Sequence, residues 1–351
     1  MQIYILMPEK TRNRKTNKKK LTSKKKSKPY TSKKNTNKKH TGKTRNDKNT
    51  LASSTPDMKY STSKSNEFRL LRCAPNVEGI NAFSSTCYTK DAFDKLKDSW
   101  NLRNKNEPIT SNNPKQIWDF LRGKLNGVCE HERCWLEQEF MKNKVTKDLK
   151  LYTHAPMHPN EWKKNIDEWL DSNDIKRVMR QYEHKHPTFS FIGPSPVNYY
   201  TIFNDGQCVW DDLCKFKLEK MIKRKTDIGI IFNLDPHYMD GSHWVALYLD
   251  LKRGKIYYFD SVGKEPHPDI MKFIQMVQLQ SIQLDNKYEY IQNTLQHQQR
   301  DGQCGMYCIY FILSMLERKM EDKDKIADEL MNNRIEDDKM AKLRSILYND
   351  K

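Results

Sequence analysis

Three features of the 351-residue sequence predict an α+β fold. Short β-branched and aromatic runs at 228–234, 243–250, 255–261 and 288–291 read as strands of a mixed central sheet. Apolar residues at helical spacing between and around them read as flanking helices. The run from Cys304 through Ile309, Phe311, Ile312, Leu313, Met315 and Leu316 is apolar enough for a helix buried on most sides. Strands and helices mixed in this order place one sheet against a central helix, with a small helical arm ahead of them.

From the N-terminus, the first element is a basic tail, residues 1–65. Residues 1–50 hold 18 Lys or Arg against Glu9 and Asp47, so residues 51–351 keep only +2 of the net charge of +18. With almost no apolar residues beyond position 7, this segment is expected to be disordered. It reads as a solvated tail, as a patch that holds nucleic acid by charge alone, or as a nuclear import signal. Any nucleic-acid binding through it falls steeply with salt. The rest of the chain is close to neutral, which excludes a basic nucleic-acid-binding surface over the folded part. Met1 to Met7 is too short to span a bilayer and lacks the basic region of a signal peptide. The expectation is a protein made and kept inside a cell, or packaged into a particle made there, with no membrane partner and its eight cysteines reduced.

Residues 66–150 read as the helical arm. Asn113-Pro114 starts an amphipathic pattern with Ile117, Trp118, Phe120, Leu121 and Leu125, and Cys134 to Met141 begins another. Trp118 and Trp135 are taken as core. Cys129, His131 and Cys134 offer soft ligands at a spacing that matches no standard zinc site, so no metal is expected. Residues 151–351 form the α+β domain. Its opening stretches, Trp162 to Leu170 and Ile175 to Tyr182, read as helical, and Phe203 to Trp210 as a turn into a further helix. A strand at 228–234 precedes a hairpin, 243–250 and 255–261, joined by Lys252-Arg253-Gly254. Ile270, Phe273, Ile274 and Val277 mark a helix before the strand near Tyr288 to Ile291.

The chemistry is carried by Gln298-Gln299-Arg300-Asp301-Gly302-Gln303-Cys304-Gly305. A Gly-containing turn puts Cys304 first in its helix, where unpaired N–H groups and the helix dipole favour the reactive thiolate. The base is His243, at the leading end of its strand. Antiparallel pairing brings Asp260, at the end of the next strand, beside it to hold the imidazole. Gln298 can reach back over the turn and, with the Cys304 N–H, form an oxyanion hole. Cys308, four residues on, reads as a small core hydrophobe, and Cys208 and Cys214 as structural residues without local partners.

The set Gly-Ser-His243-Trp244, Tyr258-Phe259-Asp260-Ser261 and Gln298-(five residues)-Cys304-Gly305, in that chain order, resembles the ubiquitin-like-protein-specific cysteine proteases. This clan includes the SUMO proteases and the adenovirus protease. Within it, the chain most resembles the polyprotein-processing proteases of large DNA viruses, of the African swine fever virus type, which carry an N-terminal arm. The resemblance covers roughly residues 160–320 and implies catalytic His243, Asp260, Gln298 and Cys304 with no cofactor. It also implies that Trp244 roofs a channel admitting only residues without side chains, so that cleavage follows Gly-Gly or Gly-X-Gly. Strand alternation alone would point Trp244 away from His243. Trp210 reads equally as a second wall or as core. Trp169-Leu170 matches the tail-contacting segment of SUMO proteases, but Asp171-Ser172 separates it from Asn173-Asp174-Ile175, which argues against SUMO itself. Where the African swine fever type is expected to have Asn, this chain has Asp260.

The implied substrates are viral structural polyproteins cut during particle maturation. The implied location is the virion, after synthesis in the infected-cell cytoplasm. The alternatives are a SUMO-deconjugating protease, a thiol-dependent protein acetyltransferase, and an inert virion component that binds nucleic acid through its tail.

Overall fold

The computed structural model describes residues 68–142, 146–165, 167–317 and 322–350. The basic tail, residues 1–65, lies outside the described residues. Three helices belong to the arm: α1 (Lys90–Arg103), α2 (Pro114–Lys124) and α3 (Thr146–Tyr152). Thr89 and Asn113 cap the first two through their side chains, and Pro114 occupies the first turn of α2, where a missing N–H costs nothing. The second predicted arm helix is instead two 3-10 segments, Glu132–Glu137 and Glu139–Met141. Trp135, Leu136, Phe140 and Met141 must all be buried there, and Cys129–Cys134 bridges the start of the segment.

The α+β domain starts with α4 (Ser172–Lys185), opened by a reciprocal capping box between Asp171 and Asp174. Five strands follow in a sheet whose spatial order equals chain order: β1 (Phe189–Pro196), β2 (Asp227–Asn233), β3 (Trp244–Asp250), β4 (Lys255–Phe259) and β5 (Glu289–Gln292). The outer pairs β1–β2 and β4–β5 are parallel, and the inner pairs are antiparallel. Short helices α5 (Asp211–Cys214) and α6 (Leu218–Ile222) lie between β1 and β2, and α7 (Pro268–Ile282) joins β4 to β5. The chain then forms α8 (Cys304–Leu316), α9 (Lys323–Asn332) and α10 (Asp337–Leu347).

Strand alternation sorts the core into two layers. Trp244, Ala246 and Tyr248 of β3 pack on the face covered by α4, α8 and α10, whereas Val245, Leu247 and Leu249 pack on the face covered by α7. Every residue of α8 except Tyr310 and Ser314 is buried, as a helix apolar all round its surface requires.

Three expectations fail here. The described residues from Trp162 to Leu170 hold only part of a 3-10 turn, Asn160–Lys163, and no helix beyond it. The carbonyls of Glu168 and Leu170 instead accept from Arg344 and Trp244, and the Asp171 cap starts a helix afresh. Six of the eight cysteines are not reduced but paired: Cys73–Cys87, Cys129–Cys134 and Cys208–Cys214. Cys208 and Cys214 do find a local partner, each other, because the turn through Trp210 into α5 folds them together. No helix among the described residues is long and apolar enough to cross a membrane.

Candidate active site

The β3–β4 hairpin sets the site. Its register pairs Ala246 with Phe259, so the residues just before β3 face those just after β4. His243 lies in the loop that enters β3, and its Nε2 is 2.6 Å from Oδ1 of Asp260, which is fully buried. The Asp260 carboxylate also accepts from the N–H groups of Val262 and, at 3.3 Å, Lys264. With Nε2 committed to Asp260, the other ring nitrogen is left for the thiol of Cys304, with which the imidazole is hydrogen-bonded. Burial alone would make His243 a weaker base. The hydrogen bonds to Asp260 and Cys304 and the charges of both override it and raise its pKa to about 9. The structure thus brings thiol, imidazole and carboxylate into one contiguous line.

Trp244 begins β3 on the face that carries Cys304, so the expectation from strand alternation fails: His243 lies outside the strand and its side chain reaches the same side. The indole Nε1 donates to the Leu170 carbonyl at 3.0 Å, and a side chain at Gly305 would press on Leu170 and Trp244. Trp169, Trp210 and Trp244 line one cavity of about 520 Å³, together with Asn233 at the end of β2 and Pro236 and Met239 of the loop between β2 and β3. Trp169 is 40% exposed, and Trp210 is half-buried.

Gln298 is held by two contacts with Ser261. Its N–H donates to the Ser261 carbonyl at 2.8 Å, and its Oε1 accepts from the Ser261 hydroxyl at 2.8 Å. The Nε2 donates one hydrogen to the Arg300 carbonyl at 2.8 Å. A carboxamide nitrogen has two hydrogens, so the second is available to an oxyanion. The Cys304 N–H is in the first turn of α8, where no intrahelical acceptor exists.

Four supporting residues escaped sequence reasoning. Asn293, just past β5, accepts from the Asp260 N–H at 2.9 Å and donates to its carbonyl at 2.7 Å. The parallel β4–β5 register, which puts Tyr258 beside Gln292, is the signal that could have found it. Asp337 accepts from the N–H groups of Gln299 and Arg300. Arg344, wholly buried on α10, donates to the Gly302 carbonyl at 2.9 Å, to Oε1 of Gln303 at 3.1 Å and to the Glu168 carbonyl at 2.7 Å. Gln303 in turn holds Asp167. Gly302, with φ of +86°, lies so close to the Asp167 carbonyl that a Cβ would overlap it. The partners that tie these residues to the site lie 33 to 176 residues away in sequence, so no local motif announces them.

A thiol at the head of a buried helix, next to an imidazole that a carboxylate orients, defines a cysteine protease. Residues 206–351 match the Ulp1 protease family, C-terminal catalytic domain. It is 31% identical over 208 residues to a protein of Acanthamoeba polyphaga mimivirus named as a thiol protease, covering 58% of this chain and 66% of that protein. It is 24% identical over 270 residues to a SUMO-1 cysteine protease of African swine fever virus (isolate Warthog/Namibia/Wart80/1980), covering 70% of this chain and 93% of that protein. The chain thus spans about two thirds of the mimivirus relative. A crystal structure of the African swine fever virus protease has the same fold, with a TM-score of 0.54 at 17% identity, covering 81% of this chain and 97% of that one.

Proposed function

We propose that this cysteine protease cleaves viral structural polyproteins after small residues, at Gly-Gly or Gly-X-Gly sites, during virion maturation. The observation that carries the reading is the line from Asp260 through His243 to Cys304 beside a groove walled by tryptophans. Cys304 attacks the scissile carbonyl while His243, which keeps its proton to about pH 9, pairs with the thiolate. The oxyanion takes hydrogen bonds from the Cys304 N–H and Gln298. His243 then protonates the leaving amine, and a thioester remains for water to hydrolyse. Trp244 roofs the channel, and Trp210 and Trp169 wall it. The basic tail holds nucleic acid by charge, which suits packaging beside a genome in a virion after synthesis in the infected-cell cytoplasm.

The similarity to a SUMO-1 cysteine protease of African swine fever virus favours a second reading, processing of a SUMO precursor. Both are tested by incubating the protein and its Cys304→Ala variant with Gly-Gly-X and Gly-X-Gly peptides and with a SUMO precursor. Cleavage of the peptides alone, lost in the variant, supports the polyprotein reading. Cleavage of the precursor moves the function to deconjugation. No Cys304-dependent cleavage refutes both, and acetyl transfer from acetyl-CoA is then the activity to assay. Deleting residues 1–50 is expected to abolish salt-sensitive DNA binding and leave peptide cleavage intact.

A further inference from the structure

A second cavity, of about 610 Å³, opens where the arm meets α4. Arg133 and Lys150 enter it from the arm, and Lys176, Arg177 and Arg180 from α4. Arg177 and Arg180 pair with Asp174 and Glu183 of their own helix. Among the described residues, Arg133, Lys150 and Lys176 make no ion pair. Half-buried Arg133 is held below the usual guanidinium range by burial, which Glu137 and Tyr88 partly offset and to which Arg177 adds a smaller repulsion. Like charges gathered in a cleft disfavour the empty protein and favour an anion inside it. The floor, Leu151, Tyr152 and Pro156, is mostly apolar.

Asp171, Asn173 and Lys176 line both this cleft and the tryptophan groove, so the two adjoin at the start of α4. A peptide that leaves the groove along α4 passes the mouth of the cleft. The stretch of α4 from Asp171 to Gln181 is ~15 Å long at about 1.5 Å per residue, a length that about four or five residues of extended chain cover. The carboxylate of Asp171 at the junction would repel a phosphate backbone, and an apolar floor suits side chains better than phosphates. We propose that this cleft binds an acidic segment of the protein substrate, a few residues from the scissile bond, and so sets specificity beyond the small residues at the cut. This rests on the peptidase reading above.

The test uses labelled peptides with one Gly-Gly-X site flanked by acidic, amide or lysine residues, titrated into full-length Cys304→Ala protein at low salt. The acidic peptide is expected to bind about tenfold tighter than the amide one. Lys150→Glu with Arg180→Glu, one exposed cation from each wall, should bring that ratio to about one, and either single substitution should lower it. The control Lys24→Glu with Lys25→Glu, in the tail, should leave the ratio unchanged. Equal binding of all peptides, or an equal loss from the tail control, overturns the proposal. So does displacement of the acidic peptide by a short DNA duplex that depends on Lys150 and Arg180, because the cleft would then be a phosphate site. Cleavage by the unsubstituted protein is read separately. Intact binding preference without cleavage of any peptide would refute the peptidase reading and still support the cleft.

Discussion

Two histidine–carboxylate pairs, His243 with Asp260 and His154 with Glu132, behave in opposite ways. In the site, His243 meets Asp260 at 2.6 Å and its pKa rises to about 9. Just past the arm, His154 Nε2 meets Oε1 of the arm residue Glu132 at 3.1 Å, yet burial pushes the imidazole below its usual range despite the carboxylate. Three differences account for this. His154 is wholly buried, and His243 is not. The Glu132 carboxylate is shared among the Cys87 N–H, the Thr86 hydroxyl and the Trp118 indole, so its charge is already satisfied. The His154 Nδ1 has no hydrogen-bond partner, so a proton there would be an unsatisfied buried donor, whereas the His243 ring has a thiol to answer. Glu132, for its part, is disfavoured as a charge by burial, but the donors around it win and hold it below the usual carboxylate range. The arm pair therefore stabilises a core, and the site pair keeps a proton in reserve. Cys87 also approaches the arm pair, but its sulfur is committed to Cys73.

Removing each histidine is the harshest test of this contrast. His243→Ala should lower peptide cleavage by at least about 10³-fold and, near pH 9, leave thermal stability nearly unchanged. His154→Ala should leave the folded protein's specific activity intact and cost about 3 kcal/mol of stability, because Glu132 loses a buried donor. Calorimetry beside peptide kinetics separates the two, and a matching loss of activity in both variants would erase the distinction. Gln298→Ala, which changes neither pair, is expected to lower kcat by about 10²- to 10³-fold with little change in KM.

A smaller effect is expected in the pH profile. As His243 gives up its proton near pH 9, cleavage should decline on the alkaline side. Asp260→Ala removes the leading contact that raises the imidazole, so this decline should begin at lower pH, and a limb that stays in place would count against the pair. The smallest effect is on stability. The raised pKa of His243 gives stabilisation that is complete below about 6.5 and lost as pH rises toward 9. The lowered pKa of His154 gives stabilisation present above 6.5 and lost as pH falls below it. Melting curves of the two alanine variants should therefore converge with wild type from opposite ends of the pH scale.

The hairpin, the helix headed by Cys304 and the approach of His243 to Asp260 were legible because strand pairing and helix starts are local rules. Trp162 to Leu170 was misread because its apolar spacing is helical while its carbonyls serve Trp244 and Arg344, 74 and 176 residues away. The disulfide of Cys73 with Cys87 closes a loop whose geometry depends on the arm core. Arg344 carries no motif at all. In sequence it is one more basic residue of an amphipathic helix, and only burial against Trp162 and Gly302 gives it a task.

Arg344 follows Gln303 by 41 residues, and α10 must be in place before the guanidinium can hold the turn ahead of the thiol. A chain emerging from the ribosome therefore displays sulfur, imidazole and carboxylate well before the brace that sets their loop. The order of synthesis thus delivers the reacting groups first and the residue that braces their turn last.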